Sequence, residues 1–238
     1  MNFGIIAAGE GSRLAQEGVE YPKPLVRLGG EPMIGRLLRI FDSLGAEQVS
    51  VITNEKMPEV AEYVRDVAPS LGARVELIVK STPSSMHSFY EISRTLRSKG
   101  RFIVTTVDTI FDEADFHRYA ETFASAPADV DGVMAVTSYI DDEKPLYVET
   151  DAAMDILAFR DSAWEEARYV SGGIYGLDSQ AIDVLEDCMA QGVSRMRNFQ
   201  RALVAAGLHL KACDMGKIMD VDHASDIAKA EAFIKSKK

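Results

Sequence analysis

The chain has 238 residues, of which 47% are hydrophobic and 26% charged, a composition that suits one α/β domain with a sizeable core. Its net charge of −11 repels nucleic acid and anionic membranes, so any anionic ligand must be bound by a local cluster of positive side chains. We therefore expect no nucleic-acid partner.

The cellular setting is indicated by what the sequence lacks. The N-terminal residues show no basic region followed by an apolar core, and no segment approaches the roughly 18 apolar residues of a membrane span. Cys188 and Cys213 have no C-x-x-C spacing, which argues against a cysteine metal site or a disulfide framework. These features predict a cytoplasmic protein with no membrane contact and with buried free thiols.

The first half of the chain alternates predicted strands with predicted helices. Four short apolar runs, typical of strands covered on both faces, lie at 3–8, 48–53, 74–79 and 102–106. The amphipathic segments between them place apolar residues on one helical face, namely Ile34, Leu37, Leu38, Phe41 and Leu44, then Val60, Val64 and Val67, then Phe89, Ile92 and Leu96. This order predicts parallel strands with right-handed crossovers in a Rossmann-like, three-layer α/β/α sheet.

The second half has a different pattern. Predicted strands follow one another with few helices between them, which indicates antiparallel additions to the sheet; they lie at 130–138, 146–150, 155–159 and 168–175. Predicted helices at 180–190 and 195–206, a strand at 209–213 and a helix from about 224 complete the chain. Because no Gly/Ser/Pro linker or repeat divides the sequence, we predict a single domain over 1–238 with a mixed, mostly parallel sheet.

An unusually long segment joins the first strand to the first of these helices, "AAGEGSRLAQEGVEYPKPLVRLGG". Such connections usually have about two to six residues, so this segment is a candidate binding loop. Leu14 occupies the place where a dinucleotide fingerprint has its third glycine, and the Gly-Lys-Ser/Thr of a P-loop is missing. Gly9 and Gly11 would instead let backbone N–H groups approach a triphosphate, while Arg13 and Lys23 add positive charge.

This segment also carries a family resemblance. "AAGEGSRL" followed by "YPKPLVRLGGEPMI" resembles the signature of nucleotidyltransferases of the sugar-nucleotide pyrophosphorylase and phosphocholine cytidylyltransferase-like type, which have a MobA-like NTP transferase fold, the nucleotide-diphospho-sugar transferase fold. The resemblance implies that the base and ribose are contacted by Ala7, Ala8 and Gly9. It also implies that the β- and γ-phosphates are contacted by Gly11, Ser12 and Arg13, and that Lys23 contacts the α-phosphate. Glu10 is expected to point outward. The alternative is a surface turn with solvated Arg13 and Lys23.

Two carboxylates are expected to hold Mg²⁺, which binds one or two carboxylates plus phosphate oxygens. Asp108 in "FIVTTVDTIF" follows the fourth strand, at the edge where parallel sheets bind ligands, and it joins Arg13 and Lys23 as a predicted catalytic residue. "IMDVDHASDIAKAE" resembles the closing motif of the family and implies Asp222 as the second ligand, with Asp220 as the alternative. The alternative is that both residues have structural roles only, Asp108 at the start of a turn and Asp222 as the N-cap of the last helix.

The base and the acceptor have predicted sites in the middle of the chain. "KSTPSSMHSFYEI" lies where the family recognises the base, and Ser84, Ser85 and Ser88 offer hydroxyl groups to it. "YVSGGIYGL" resembles the acceptor strand, where Gly172 and Gly173 would let the acceptor approach the backbone. The alternatives are a serine-rich helix start and a β-bulge.

Three departures from the sugar-nucleotide pattern leave the base and the acceptor open. Serines replace Gly-Thr-Ala in the base segment, and Val107 replaces the glycine that usually precedes the metal aspartate. "FRDSAWEEA" stands where the pattern has Glu-Lys-Pro. Arg160 could substitute for that lysine, the alternative being a solvated arginine, and Trp164 could line the acceptor pocket, the alternative being core or lid packing.

The sequence thus predicts an enzyme that uses Mg²⁺ to transfer a nucleoside monophosphate from an NTP to a phosphorylated acceptor, a sugar 1-phosphate or a phosphocholine-like compound, with release of pyrophosphate. The alternatives are a non-catalytic nucleotide-binding regulatory domain of this fold and a glycosyltransferase of related fold, for which "DVD" at 220–222 supplies an Asp-x-Asp string. Self-association into a homo-oligomer is left open.

Overall fold

The computed structural model describes residues 1–237 as alternating helices and strands. The eight α-helices are α1 (Ser12–Gln16), α2 (Met33–Ser43), α3 (Pro58–Val67), α4 (Ser85–Leu96), α5 (Glu113–Ala124), α6 (Ser179–Ala190), α7 (Met196–Ala205) and α8 (Ala224–Lys235). The strands are β1 (Asn2–Ala7), β2 (Arg27–Leu28), β3 (Glu31–Pro32), β4 (Gln48–Thr53), β5 (Arg74–Val79), β6 (Phe102–Thr106), β7 (Thr109–Ile110), β8 (Gly132–Thr137), β9 (Tyr147–Thr150), β10 (Ile156–Arg160), β11 (Tyr169–Leu177), β12 (Leu210–Asp214) and β13 (Met219–Asp220). Single 3₁₀ turns lie at Lys23–Leu25, Ala68–Ser70 and Arg97–Lys99.

One nine-stranded sheet organises the molecule, in the order β5-β4-β1-β6-β11-β8-β12 with the β9–β10 hairpin attached to β11. The β1, β4, β5 and β6 ladders are parallel, as is β8 with β12. Strand β11 runs antiparallel to β6, β8 and β9. The predicted mixed sheet, parallel in its first half with antiparallel additions in its second, is confirmed.

Helices cover both faces of this sheet, which confirms the three layers. Alternate residues of β1 face opposite sides, because side chains of a strand alternate between its two faces. Phe3 belongs to the core on the α2 side, where it stacks on Phe41 with ring centroids 4.3 Å apart. Ile6 and Ala8 belong to the core on the α4 side. Phe89 and its neighbours of α4 are fully buried there.

The prediction of one long loop after β1 is wrong. The segment contains α1, the turn at Lys23–Leu25 and the β2–β3 hairpin before α2 begins at Met33. The reason is that Leu14 is only 1% exposed, so the segment has its own contact with the core. Helix α5 was not predicted either, although Phe116, Tyr119 and Phe123 have helical spacing and are fully buried.

Other expectations concern the whole chain. None of the helices formed by residues 1–237 is both long and apolar enough to cross a membrane. Cys188 is a buried free thiol, and Cys213 is a half-buried one. The single domain over 1–238 remains a prediction, and its last residue, Lys238, lies outside the described residues.

Candidate active site

Asp108 is brought to the edge of the sheet by β6, which ends two residues before it. The short ladder between β7 and β13 then pairs Asp220 with Thr109. In addition, the Val221 N–H donates a hydrogen bond to the Asp108 carbonyl at 3.2 Å. These backbone contacts place the C-terminal Asp-x-Asp beside Asp108.

Lys23 lies between these carboxylates. Its Nζ contacts the Asp108 carboxylate and is 2.6 Å from Oδ1 of Asp222. Arg13 Nη1 donates to Oδ2 of the same Asp222 at 3.0 Å. The Lys23 side chain is 11% exposed, whereas Arg13 is open to solvent at 56%. The structure therefore brings together Arg13, Lys23, Asp108 and Asp222, and the alternative of a solvated lysine does not apply.

The electrostatics of the cluster keep its central pair charged. Burial opposes ionisation of Asp108, but the adjacent Lys23 ammonium outweighs it and holds the pKa of Asp108 below its ordinary value. Burial likewise opposes the charge of Lys23, but Asp108 and Asp222 raise the pKa of Lys23 above its ordinary value. Asp220 opens onto the cleft, where desolvation and repulsion from Asp108 raise its pKa well above the ordinary range.

Asp108 and Asp222 can supply two carboxylates to a Mg²⁺ ion, which is fewer protein ligands than a complete metal site has. Within residues 1–237 no three His, Cys, Asp or Glu side chains are placed to hold a metal ion together. Mg²⁺ needs fewer protein ligands, since it retains water and phosphate oxygens. Asp108 and Asp222 both reach one ammonium group, so their oxygens can share one small cation. Asp222 does not cap α8, because the N-cap residue is His223, paired with Asp226 in a capping box.

A glycine makes the approach of Lys23 possible. Gly11 precedes α1 in the left-handed region with φ 59°, and a Cβ there would lie 2.9 Å from the Cβ of Lys23. A side chain would therefore be strained in its own backbone and would also collide with Lys23. The second glycine of the Gly-x-Gly pattern, Gly11, therefore allows Lys23 to approach the start of α1.

A cavity of about 500 Å³, here called the β1 cavity, opens on one side of Lys23 and Asp108. Six other predicted residues line it, namely Ala8, Gly9, Gly11, Ser84, Ser85 and Ser88. Ser88 is buried and its Oγ is 2.6 Å from Oγ1 of Thr82, while Ser84 Oγ is 2.8 Å from Nδ1 of His87. Glu10 was expected to point outward; its side chain is exposed, with Lys56 Nζ 2.8 Å from its carboxylate, but it also lines this cavity.

A second cavity of about 220 Å³, here called the acidic cavity, opens on the other side of the cluster. Its walls come from the 138–146 loop between β8 and β9, from β11 and from the start of α8. Gly172 lines it. The ladder between β11 and β8 shifts register between Ser171 and Tyr175, so the bulge expected as the alternative is also present. Gly173 has φ 72° and packs towards Thr109.

Some predicted residues lie elsewhere. Ala7 faces the core on the α2 side, and Ser12 begins α1 without lining either cavity. Arg160 forms an ion pair with Glu149. Trp164 packs edge-on against Tyr147, with ring centroids 6.4 Å apart. The contacts of these residues are therefore with the protein itself.

Residues 4–171 match the family model of the MobA-like NTP transferase domain. The chain belongs to this family. The family resemblance recognised in the sequence is thereby confirmed. The MobA-like match covers both the glycine-rich segment with Lys23 and the strand that leads to Asp108.

The chain is similar to several known proteins over part of their length. It is 28% identical over 163 residues to a CMP-5'-(3-aminopropyl)phosphonate synthase of Streptomyces rubellomurinus, covering 59% of this chain and 24% of the relative. It is 25% identical over 236 residues to the bifunctional protein GlmU of Paracoccus denitrificans, covering 96% of this chain and 51% of the relative. The chain thus spans about half or less of the length of these curated relatives.

Solved structures show the same fold over nearly the whole chain. The inositol-1-phosphate CTP transferase from T. maritima superposes with a TM-score of 0.80 at 17% identity, covering 98% of this chain and 96% of that one. A putative glucose-1-phosphate thymidylyltransferase from Bacillus anthracis gives a TM-score of 0.84 at 19% identity, with 99% and 95% covered. The nucleotide-diphospho-sugar transferase fold predicted from the sequence is confirmed.

Two residues near the site were not anticipated from the sequence. Asn54 is 2% exposed, and its Nδ2 donates to the Ala8 carbonyl at 2.9 Å while its Oδ1 accepts from Ser81 Oγ at 2.8 Å. It therefore ties the floor of the β1 cavity to the segment before α4. Glu17 accepts from the Ala224 N–H at 2.6 Å and joins α1 to α8. Asn54 follows a strand at the ligand-binding edge, a signal that could have identified it.

Proposed function

We propose that this chain is a nucleotidyltransferase enzyme that transfers a nucleoside monophosphate from an NTP to a phosphorylated small molecule. One observation carries the proposal: Lys23, which lines the β1 cavity together with Asp108, is also bound by Asp222, which lines the acidic cavity, so this cluster forms a junction of the two cavities. This junction is where the α-phosphate and the attacking group have to meet.

The reaction needs no protein general base. An oxygen of the acceptor phosphate, already ionised at neutral pH, attacks the α-phosphorus of the NTP and forms a new P–O bond. The bond from the α-phosphorus to the oxygen that bridges to the β-phosphate breaks, and its electron pair leaves with pyrophosphate. Catalysis then consists of alignment and of neutralising the charge on the phosphate oxygens.

The side chains of the cluster have separate tasks in this proposal. Backbone N–H groups at Gly9 and Gly11 approach the phosphates, and the exposed Arg13 reaches the distal ones. Lys23 exchanges its carboxylate partners for α-phosphate oxygens and stabilises the charge there in the transition state. A Mg²⁺ ion held by Asp108 and Asp222 would supply further neutralisation of phosphate charge.

The two alternatives have weaker support. A regulatory domain without turnover does not require Lys23, Asp108 and Asp222 to converge, yet they do. A glycosyltransferase would use Asp220 and Asp222 as its metal string but gives no role to Lys23, which is only 11% exposed beside Asp108. Cytoplasmic location and self-association remain predictions.

The direct test is pyrophosphate release in the presence of Mg²⁺, with each nucleoside triphosphate crossed with pools of phosphorylated acceptors. We expect release that depends on both substrates. Asp108→Asn should lower kcat by roughly 10³-fold. The substitution removes the negative charge that pairs with Lys23 and would bind the metal ion, and it leaves the size of the side chain unchanged. Circular dichroism should show an intact fold.

Asp66→Asn is the matched control, since Asp66 is an exposed aspartate of α3. It should turn over like the parent protein. Triphosphate binding without release from any substrate pair would favour the regulatory alternative, and full activity in Asp108→Asn would contradict the assigned role of this residue.

A further inference from the structure

The wall of the acidic cavity has a composition that distinguishes acceptors. Six carboxylates line it, namely Asp141, Asp142, Glu143, Asp220, Asp222 and Asp226. They face three side chains able to carry positive charge, namely Arg13, His223 and Lys229. The cavity therefore has an excess of negative charge on the side from which the acceptor must approach.

The positive side chains of the cavity are already paired. Arg13 binds Asp222 at 3.0 Å, and Lys229 Nζ bridges Asp141 and Asp226 at 3.1 Å each. Lys229 is thus unavailable as a free cation for an anionic acceptor. His223 Nδ1 is 2.6 Å from a Glu17 carboxylate oxygen, so it too is engaged.

Two carboxylates of the 138–146 loop have weaker compensation. Glu143 is 71% exposed, and its Oε1 is 3.8 Å from His223 Nε2. Asp142 Oδ1 accepts the backbone N–H of Lys144 at 2.9 Å, and no ion pair to it is found within residues 1–237. Together they leave negative charge at the rim, away from the predicted metal ligands.

The remaining wall suits an alkyl group better than a sugar ring. Pro145, Val170 and Ile218 provide apolar surface, and no Asn or Gln side chain among residues 1–237 lines this cavity. Its buried hydroxyl, that of Thr137, already donates to the Gly216 carbonyl at 2.6 Å and accepts the Tyr139 N–H at 3.0 Å. Few uncharged polar groups are therefore free to bind the hydroxyls of a sugar.

The 138–146 loop also contributes an aromatic ring, that of Tyr139. Tyr139 lines the cavity, and its hydroxyl donates to Asp141 Oδ2 at 3.2 Å. The ammonium group of Lys217 lies 4.1 Å from the centroid of the Tyr139 ring. Aromatic faces and carboxylates are the groups that bind alkylammonium ions in proteins. One face of the Tyr139 ring is thus occupied by Lys217, which does not line the cavity, and the ring contributes aromatic surface to the cavity wall.

We propose that the acceptor is a phosphate or phosphonate that carries an ammonium group, with its ammonium end held by the Asp142–Glu143 rim and its anionic end near Asp222, beside Lys23. This inference rests on the proposed function and specifies its acceptor. The ammonium group offsets the repulsion that the acidic cavity exerts on the acceptor phosphate. The apolar wall contacts the alkyl chain between the two charged ends.

The test compares acceptors with and without an ammonium group, and two of them have the same shape but differ in charge. Pyrophosphate release is measured with phosphocholine, phosphoethanolamine and 2-aminoethylphosphonate, with 3,3-dimethylbutyl phosphate as the uncharged-tail isostere of phosphocholine, and with glucose 1-phosphate. We expect kcat/KM for the best ammonium acceptor to exceed that of the isostere and of the sugar phosphate by roughly tenfold or more. This preference should decrease as salt is added.

The variant Asp142→Asn/Glu143→Gln locates the effect. The KM for the ammonium acceptor should rise by roughly tenfold with a smaller change in kcat, so that the preference over the isostere falls. Glu166→Gln, which removes an exposed carboxylate from the 161–168 segment outside the cavity, should keep the preference.

The outcomes separate this inference from the proposed function. Turnover of the sugar phosphate or the isostere without an ammonium preference would overturn the acceptor class while supporting nucleotidyl transfer. A preference that is unchanged in the double variant would overturn the assignment of the rim. Absence of pyrophosphate release with every acceptor would overturn the proposed function itself, and the acceptor class with it.

Discussion

Lys23 compensates the charge of two carboxylates that would otherwise repel each other. It contacts Asp108 and is 2.6 Å from Asp222, and its side chain is largely buried. A buried ammonium without partners would be costly, as would two neighbouring carboxylates without a cation. In our proposal a bound triphosphate would give Lys23 a new partner, and the two carboxylates would hold a metal ion. The same residue thus stabilises the free site and, in our proposal, the transition state.

Lys23→Ala should lower kcat by roughly 10²- to 10³-fold while weakening triphosphate binding much less. The physical reason is that charge on the α-phosphate oxygens increases as the acceptor attacks, so the lost interaction matters most in the transition state. Steady-state kinetics and calorimetric titration of the triphosphate measure the two effects separately.

Lys80→Ala serves as the control for this substitution, because Lys80 is an exposed lysine paired with Glu91 and should be dispensable. A Lys23→Ala protein that loses triphosphate affinity but keeps its kcat would argue against a transition-state role for the ammonium group.

At the scale of elements, the glycine-rich segment is attached to the end of the chain. Glu17, just after α1, accepts hydrogen bonds at 2.6 Å from the Ala224 N–H and is 2.6 Å from His223 Nδ1. The Gly29 N–H donates to Glu231 of α8 at 2.9 Å. Helix α1 has only five residues, so these contacts, together with buried Leu14, fix its position.

Gly11→Ala tests whether close approach of α1 to Lys23 matters. Alanine with φ near +60° is strained by about 1–2 kcal/mol, and here its Cβ would also displace Lys23. We expect a melting temperature a few degrees lower and kcat/KM lower by at least about tenfold.

Gly18→Ala provides the matched comparison in the same segment. Gly18 also has a positive φ, of 86°, but apart from its two chain neighbours no residue in the described range 1–237 has an atom within 4 Å of its would-be Cβ. This variant should lose a similar amount of stability and keep its activity. Equal activity losses in the two proteins would show that strain alone, and not contact with Lys23, impairs the site.

At the scale of the whole molecule, the two halves of the sheet meet at the candidate site. Parallel β6 delivers Asp108, and its antiparallel neighbour β11 carries Gly172 along the acidic cavity. The β9–β10 hairpin adds to β11 and is tied to the far edge of the sheet, where Asp155 binds His209 Nε2 at 2.7 Å and Lys211 Nζ at 2.6 Å. These ion pairs join segments that are distant in the chain.

The His209 pair predicts a pH-dependent part of the stability. Its hydrogen bond with Asp155 raises the pKa of His209, so the folded protein binds this proton more tightly than the unfolded chain. The stabilisation is complete below the unfolded histidine pKa of about 6.5 and is lost as pH rises through the raised pKa of the folded state. The melting temperatures of the parent protein and His209→Gln should therefore differ more at pH 5.5 than at pH 9.

Asp155→Asn provides the background that isolates this pair. Lys211 and His209 lower the pKa of Asp155, so the carboxylate is charged at pH 5.5 and its removal abolishes the interaction. In that background His209→Gln should shift the melting temperature equally at both pH values. A persistent pH dependence there would assign the effect to another partner of His209, such as Asp129.

Local patterns predicted most elements because burial on two faces is visible in single segments. Phe89, Ile92 and Leu96 predicted α4 and are fully buried. The short α1 was not predicted, since five residues carry too little periodicity and depend on the contacts of Glu17. Phe116, Tyr119 and Phe123 have the spacing of a buried helical face, but they lie between two strand-like runs, where no helix is predicted from the sequence.

The sequence by itself determined the family and the alternating architecture, and it supplied the residues that we propose for the site. The glycine pair, Arg13, Lys23 and Asp108 each follow from local chemistry, because backbone freedom and charge at the end of a strand are properties of short segments. Only the tertiary structure decided that Lys23 bridges Asp108 and Asp222, and that the 138–146 loop gives the second cavity its negative charge. Those properties arise from distances between residues far apart in the chain, which local patterns do not encode.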